Sequence, residues 1–224
     1  FQRFTESWAL FERCSRYDGV LDAPAEGRVL NVASLGGGPG YELLAFEWFV
    51  RYRALTAGAA DAAARRGALA SMTFPAADDT AQAVDADAEA PTPTPPRMRL
   101  LSLDLQPSWD AYVDELARHS THSYGFAQWD IKGDEDALEA AERLGCDRLD
   151  LCIISNVFVY CTDEQTADVL SALLHASKGP RALMINERGA EQRLVEMLEA
   201  RGCSVVRLLS QHAGRDDRQL LVRA

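Results

Sequence analysis

The sequence predicts an α/β fold: a doubly wound, mostly parallel sheet with helices on both faces. Three observations carry this. Apolar segments of strand length alternate with helical segments along most of the 224 residues. The strand segments read as near-continuous apolar runs, the pattern of strands buried on both faces. A cluster of glycines stands where the first strand meets its helix, at the edge where such sheets take ligands.

The elements follow in order. In "FQRFTESWALFERCSRY" (1–17) Phe4, Trp8, Phe11 and then Cys14 or Ser15 recur at helical spacing, which predicts a helix packed on the edge of the domain. "RVLNVASL" (28–35) reads as a strand entering the turn Gly36-Gly37-Gly38-Pro39-Gly40. After it, Tyr41, Leu44, Ala45, Trp48, Phe49 and Tyr52 follow the i, i+3, i+4, i+7 rule. Leu43, Phe46 and Val50 add a second apolar stripe, so this helix is expected to be covered on most sides. Further strands are expected at 98–105, 124–131, 149–160 and 181–187, the third of these running into a loop. Helices are expected at 107–119, 134–145, 163–177 and 191–202; proline opens the first of them and Gly202 stops the last. Two strands, 203–209 and 218–224, close the chain around the turn "SQHAGRDD", making seven in all.

One stretch breaks this alternation. From about Ala57 to Arg97 alanine and aspartate dominate, and four of the nine prolines fall between Pro91 and Pro96. The Ala-rich front suits a helix, and the Pro-Thr run must be extended. The expectation is one domain over 1–224 carrying a surface insertion at 57–97, largely disordered in its second half.

Composition narrows the function. Hydrophobic residues make up 47% and charged residues 25%, as in an ordinary globular protein, and the formal net charge is −11. A broad basic surface for nucleic acid is thereby excluded, so a small-molecule or protein partner is favoured over nucleic acid. The five cysteines (Cys14, Cys146, Cys152, Cys161, Cys203) form no Cys-x-x-Cys pair. They fit unpaired thiols in the cytoplasm or another reducing compartment better than a disulfide framework or a zinc site. The four histidines show no metal spacing, and no apolar run approaches the roughly 18–20 residues of a membrane span. The chain starts at Phe1 rather than methionine, which leaves room for residues upstream, a targeting segment among them.

Four glycines in five positions are more than a turn needs, and they point to a bound cofactor. The dinucleotide fingerprint G-x-G-x-x-G fails, because Tyr41 stands where its third glycine belongs. The phosphate P-loop fails for want of Gly-Lys-Ser/Thr. What fits is G-x-G-x-G, at Gly36, Gly38 and Gly40.

On these residues the chain resembles the class I S-adenosylmethionine (SAM)-dependent methyltransferases, element by element outside the 57–97 insertion. The resemblance implies a Rossmann-like sheet with an antiparallel last strand, SAM as cofactor and methyl transfer as activity. It implies that Gly36, Gly37, Gly38 and Gly40 face the methionine arm, and that Asp104 binds the ribose hydroxyls with Leu105 covering the adenine. It also implies that Asp130 receives the adenine amino group, with Ile131 beside it. Ser155 and Asn156 fall at the mouth facing the transferred methyl, and Asn156 joins the cofactor-binding set.

The family often carries an acid two places before the first glycine. Ser34 stands there, and Glu42 or backbone carbonyls are the substitutes for holding the methionine ammonium. The Asn-Pro-Pro-Tyr motif of many amide and base methyltransferases is absent, "SNVF" taking its place. The acceptor is therefore open, and no catalytic residue is assigned. Asp104 and Asp130 also suit helix caps or turns, and Asn156 a turn. Trp109 and Trp129 suit either an adenine pocket or the core, and Tyr160 is a candidate on the acceptor side. The rival function is a methyltransferase-like domain that serves as a binding or assembly module.

Overall fold

The structure, a computed structural model, describes residues 2–22, 27–71, 96–188, 191–209 and 217–224, with backbone alone at 58–71, Glu191 and Asp217. Seven strands are present: β1 (Leu30–Leu35), β2 (Met98–Asp104), β3 (Ser123–Gln128), β4 (Leu151–Ser155), β5 (Leu183–Arg188), β6 (Ser204–Leu209) and β7 (Asp217–Arg223). They form one sheet in the order β3-β2-β1-β4-β5-β7-β6. The first five pair in parallel, and β7 runs antiparallel to both β5 and β6. The sequence order reverses between β1 and β4, so a crevice opens at their carboxyl ends.

Six helices accompany the strands: α1 (Gln2–Cys14), α2 (Tyr41–Ser71), α3 (Asp110–His119), α4 (Ala137–Arg143), α5 (Glu164–His175) and α6 (Glu191–Glu199). Along β1, β2 and β4 the strands are buried almost throughout, which is why they read as unbroken apolar runs. One sheet face, with Ala33, Leu101, Leu103, Ile154 and Ile185, packs with α4, α5 and α6 through Ala140, Leu170 and Leu198. On the other face Phe11 of α1 meets Phe46 of α2 edge-on at 5.2 Å. Helix starts obey local chemistry: Asp136 and Glu139 form a reciprocal capping box on α4, and Asp163 caps α5.

Two points differ from expectation and a third is sharpened. The segment 149–160, expected as a strand running into a loop, is strand as far as Ser155, and Asn156 then takes a left-handed backbone (φ 57°) that no strand continues through. The strand expected at 124–131 ends at Gln128, where Trp129 turns into the core. Helix α2 is also not covered on most sides: Leu43, Ala45 and Phe46 are buried, whereas Tyr41, Trp48 and Tyr52 are about half exposed. The buried arc draws on both stripes, Ala45 and Phe49 from the first and Leu43 and Phe46 from the second, and Phe46 meets Phe11 within it.

The chain divides into two units, 1–47 with 96–224, and 48–95. The second begins within α2, whose helix continues to Ser71, so the Ala-rich front of the expected insertion is helical. Within it the Arg51 guanidinium lies 5.7 Å from the Trp48 ring centroid. The expectation of disorder falls on residues 72–95, outside the described residues.

Candidate functional site

The glycine turn lies between β1 and α2 at the carboxyl edge, and the structure separates the reasons for its glycines. Gly36, Gly38 and Gly40 have φ of 67°, 50° and 84°, the left-handed region that favours glycine. A Cβ on Gly36 would lie 2.4 Å from Val157 Cγ2, and one on Gly37 would lie 2.7 Å from Ser34 Cβ. A Cβ on Gly40 would meet Leu116 at 3.0 Å. These three glycines are needed by the packing of the protein itself. Gly38 differs: a Cβ there would meet only the Trp109 indole, at 3.8 Å. Gly38 is thus the glycine whose bare backbone leaves room for a ligand, with Trp109 beside it.

Asp104, at the end of β2, ties this turn down. Its Oδ2 accepts the Gly38 amide at 2.9 Å, and its Oδ1 accepts the Gln106 amide at 2.8 Å. Ser102, two residues earlier on the same strand, donates to the Gly38 carbonyl at 2.9 Å. The expected ribose ligand and the bland turn residue are therefore the same carboxylate. It remains half-buried, and each oxygen keeps lone-pair capacity for a diol. Leu105 beside it is exposed, as a residue that covers a flat ring from outside must be.

Ser34 lies directly beneath Gly37, fully buried, and its hydroxyl has no hydrogen-bond partner. The acid of this region is Glu42, in the first turn of α2. Its side chain is 1% exposed, and neither carboxylate oxygen is hydrogen-bonded. Arg3 of α1 forms an ion pair with it at 3.9 Å, beyond hydrogen-bond distance. Burial pushes the Glu42 carboxyl from 4.5 up to about 7, against opposing pulls that include Arg3 and the nearby Ser155 hydroxyl. A buried carboxylate whose oxygens accept no hydrogen bond is costly, and the ion pair with half-exposed Arg3 leaves both oxygens open to a further donor.

Beyond Ser155, Asn156 is the one described non-glycine residue with positive φ. Asparagine tolerates that conformation, and its Nδ2 donates to Ser155 Oγ at 3.1 Å. The Val157 amide donates to Glu187 Oε1, at the end of β5, at 2.6 Å. Val157 in turn packs on Gly36. The turn after β4 is thus fixed between the glycine turn and Glu187, with Val159 and Tyr160 exposed at its tip.

Asp130 and Ile131 follow β3, the strand beside β2, where the Trp129 amide donates to the Asp104 carbonyl at 3.0 Å. Asp130 is exposed, and its Oδ1 accepts the Lys132 amide at 2.9 Å, the geometry of a turn residue. Ile131 packs against the α4–α6 core, and buried Trp129 donates its indole N–H to the Glu135 carbonyl. Asp150, the aspartate that begins the fourth strand, lies at the opposite edge, where it accepts from Arg28 and from the Asn31 amide. The sequence reading passed over Glu187, though the rule that selected Asp104, an acid ending an apolar strand, selects it equally. All five cysteines are buried and unpaired. Among the described residues no acid, histidine or cysteine cluster suits a metal ion, and no helix is long and apolar enough to cross a membrane.

The fold has counterparts among solved structures. A SAM-dependent methyltransferase from Clostridium acetobutylicum matches with a TM-score of 0.56 at 8% identity, over 98% of this chain and 91% of that one. The CurJ carbon methyltransferase matches at 0.54 and 14% identity, over 96% of this chain, which spans 54% of that protein. A human methyltransferase 10 domain containing protein matches at 0.50 and 12%, over 97% and 82%. No protein-family model matches the chain, and no curated protein matches it by sequence. The chain has the class I methyltransferase fold.

Proposed function

We propose that the protein is a SAM-dependent methyltransferase whose cofactor lies along the carboxyl ends of β2, β1 and β4. The observation that carries the reading is Glu42: a buried carboxylate with two unbonded oxygens, one turn after the glycine loop. SAM brings what these residues lack, an ammonium for Glu42 and a ribose diol for Asp104. A nicotinamide dinucleotide would instead set its pyrophosphate near Glu42, which is unfavourable in a buried site. In this reading Gly38 leaves space for the methionine arm beside Trp109, and the first turn of α2 presents its amides to the methionine carboxylate. Leu105 covers the adenine, and the expected contacts of Asp130 and Ile131 lie at the outer rim of the same edge.

The bound cofactor supplies an activated methyl group on a sulfonium. The residues of the chain then have to orient an acceptor in line with it and exclude water. Positioning of this kind is worth roughly 7–11 kcal/mol. In this reading Asn156, held in its left-handed turn against Ser155, positions the acceptor. Calorimetry tests the reading: the protein binds SAM and S-adenosylhomocysteine and ignores NAD. Binding of NAD without SAM overturns it, and tight SAM binding without turnover on any acceptor turns it into the binding-module function.

A further inference from the structure

Glu187 is a second buried acid at the carboxyl edge, and the cofactor reading does not use it. Its Oε1 is occupied by the Val157 amide, while Oε2 is buried without a partner in a side chain 3% exposed. Three observations tie Glu187 to the turn that follows β4. Glu187 is the penultimate residue of β5, next to Asn186, which pairs with Ser155 at the carboxyl end of β4. It grips the amide that follows Asn156. The side chain it fixes there, Val157, rests on Gly36 of the glycine turn. Arg3, 3.9 Å from Glu42, is the guanidinium whose charge both acids feel. Among the described residues nothing hydrogen-bonds Oε2 of Glu187 or either oxygen of Glu42.

Resting on the SAM reading above, we propose that the methyl acceptor is a small amine that binds against Oε2 of Glu187, which takes a proton from its ammonium form. The unsatisfied carboxylate atoms of the mouth are all acceptors, so the ligand that completes them must donate hydrogen bonds. An acceptor bearing a carboxylate or phosphate at this point would face Glu187 and Glu42 with like charge. With Glu42 taken by the cofactor ammonium, Glu187 is the acid left for the second substrate.

The step balances. The ammonium N–H passes its proton to Glu187 Oε2, leaving a neutral amine with a free lone pair. That pair forms the N–C bond to the methyl carbon as the C–S bond breaks, its electrons staying on sulfur. The positive charge moves from sulfonium to the methylated nitrogen, and Glu187 later releases its proton to solvent. Burial pushes the Glu187 carboxyl up to about 7, the Val157, Phe158 and Arg188 amides and Arg3 opposing, which suits a base working near neutrality. The other titratable or charged groups around it are Cys161 after β4 and Arg218, its register partner on β7.

The test begins with S-adenosylhomocysteine binding to the wild type; its absence overturns the cofactor reading and, with it, this proposal, whereas the outcomes below overturn the proposal alone. The saturated protein is then titrated with butylamine and 2-phenylethylamine, and with butyrate and phenylacetate as acids of similar skeleton. The same amines are offered with labelled SAM. Amines are expected to bind and accept methyl, and the acids to do neither. Glu187→Gln keeps an oxygen for the Val157 amide and is expected to fold. It should hold S-adenosylhomocysteine within about threefold, weaken amine binding at least about tenfold and lower methyl transfer roughly a hundredfold. Preference for the acids, failure of both amines to bind while the cofactor binds, or an unchanged Glu187→Gln variant overturns the proposal.

Discussion

Asp104→Ala removes two things at once, and the structure gives the size of each. The carboxylate accepts the Gly38 amide at 2.9 Å and the Gln106 amide at 2.8 Å. Hydrogen bonds to a charged group are worth about 1.5–3 kcal/mol each, and the half-buried position argues for the lower end. Loss of both should destabilise the protein by about 2–3 kcal/mol, or roughly 5–10 °C in melting temperature for a chain of this size. The same change removes the acceptor for the ribose hydroxyls, so S-adenosylhomocysteine binding should weaken about ten- to a hundredfold. Asp104→Asn separates the two effects. Its one remaining carbonyl oxygen can serve one amide, so about half the stability loss is expected, with most of the affinity loss retained. Differential scanning calorimetry and titration calorimetry on the three proteins read both quantities. A melting temperature unchanged in Asp104→Ala would show that the carboxylate does not hold the glycine turn. An unchanged dissociation constant would show that the ribose lies elsewhere.

Other perturbations probe neighbouring parts. Gly36→Ala should lose several kcal/mol, from its left-handed backbone and the clash with Val157, whereas Gly38→Ala should lose only about 1–2 kcal/mol. The order reverses for cofactor binding if Gly38 faces the ligand, and equal affinity of wild type and Gly38→Ala would refute that. Glu42 and Glu187 are raised from 4.5 to about 7 in the folded protein, so the native state holds protons that the unfolded chain has released. Stability without ligand should therefore fall as pH rises from about 4.5 to 7, by on the order of 3 kcal/mol per buried carboxyl. Glu42→Gln should flatten that fall in urea titrations, and a stability that instead climbs through this window would contradict the burial. Asn156→Gly should keep the fold and Asn156→Ala should lose about 1 kcal/mol, while both lower turnover more than cofactor affinity. An effect on affinity alone would move Asn156 from the acceptor side to the cofactor.

The sequence by itself determined the sheet, the position of the glycine turn and Asp104, because each is written in local chemistry. Buried parallel strands must be apolar along their length, a left-handed turn favours glycine, and an acid ending an apolar strand lies at the edge of the sheet. The same local rules could not separate Asp104 from Asp130. Both follow strands, and only the register of β2 against β1 brings the first against Gly38 while the second closes its own turn at Lys132. Nor could they say which glycines serve a ligand. Val157, Ser34 and Leu116 account for three of the four, and two of these neighbours lie far along the chain. Glu187 was an ordinary polar letter in the sequence and Glu42 one of two substitutes for the acid absent at Ser34, since a carboxylate on a helix or at a strand end is usually solvated. Tertiary packing decided otherwise. It buried both acids and left three of their four carboxylate oxygens without a hydrogen bond, and a charge removed from water must find its partner in space rather than along the chain.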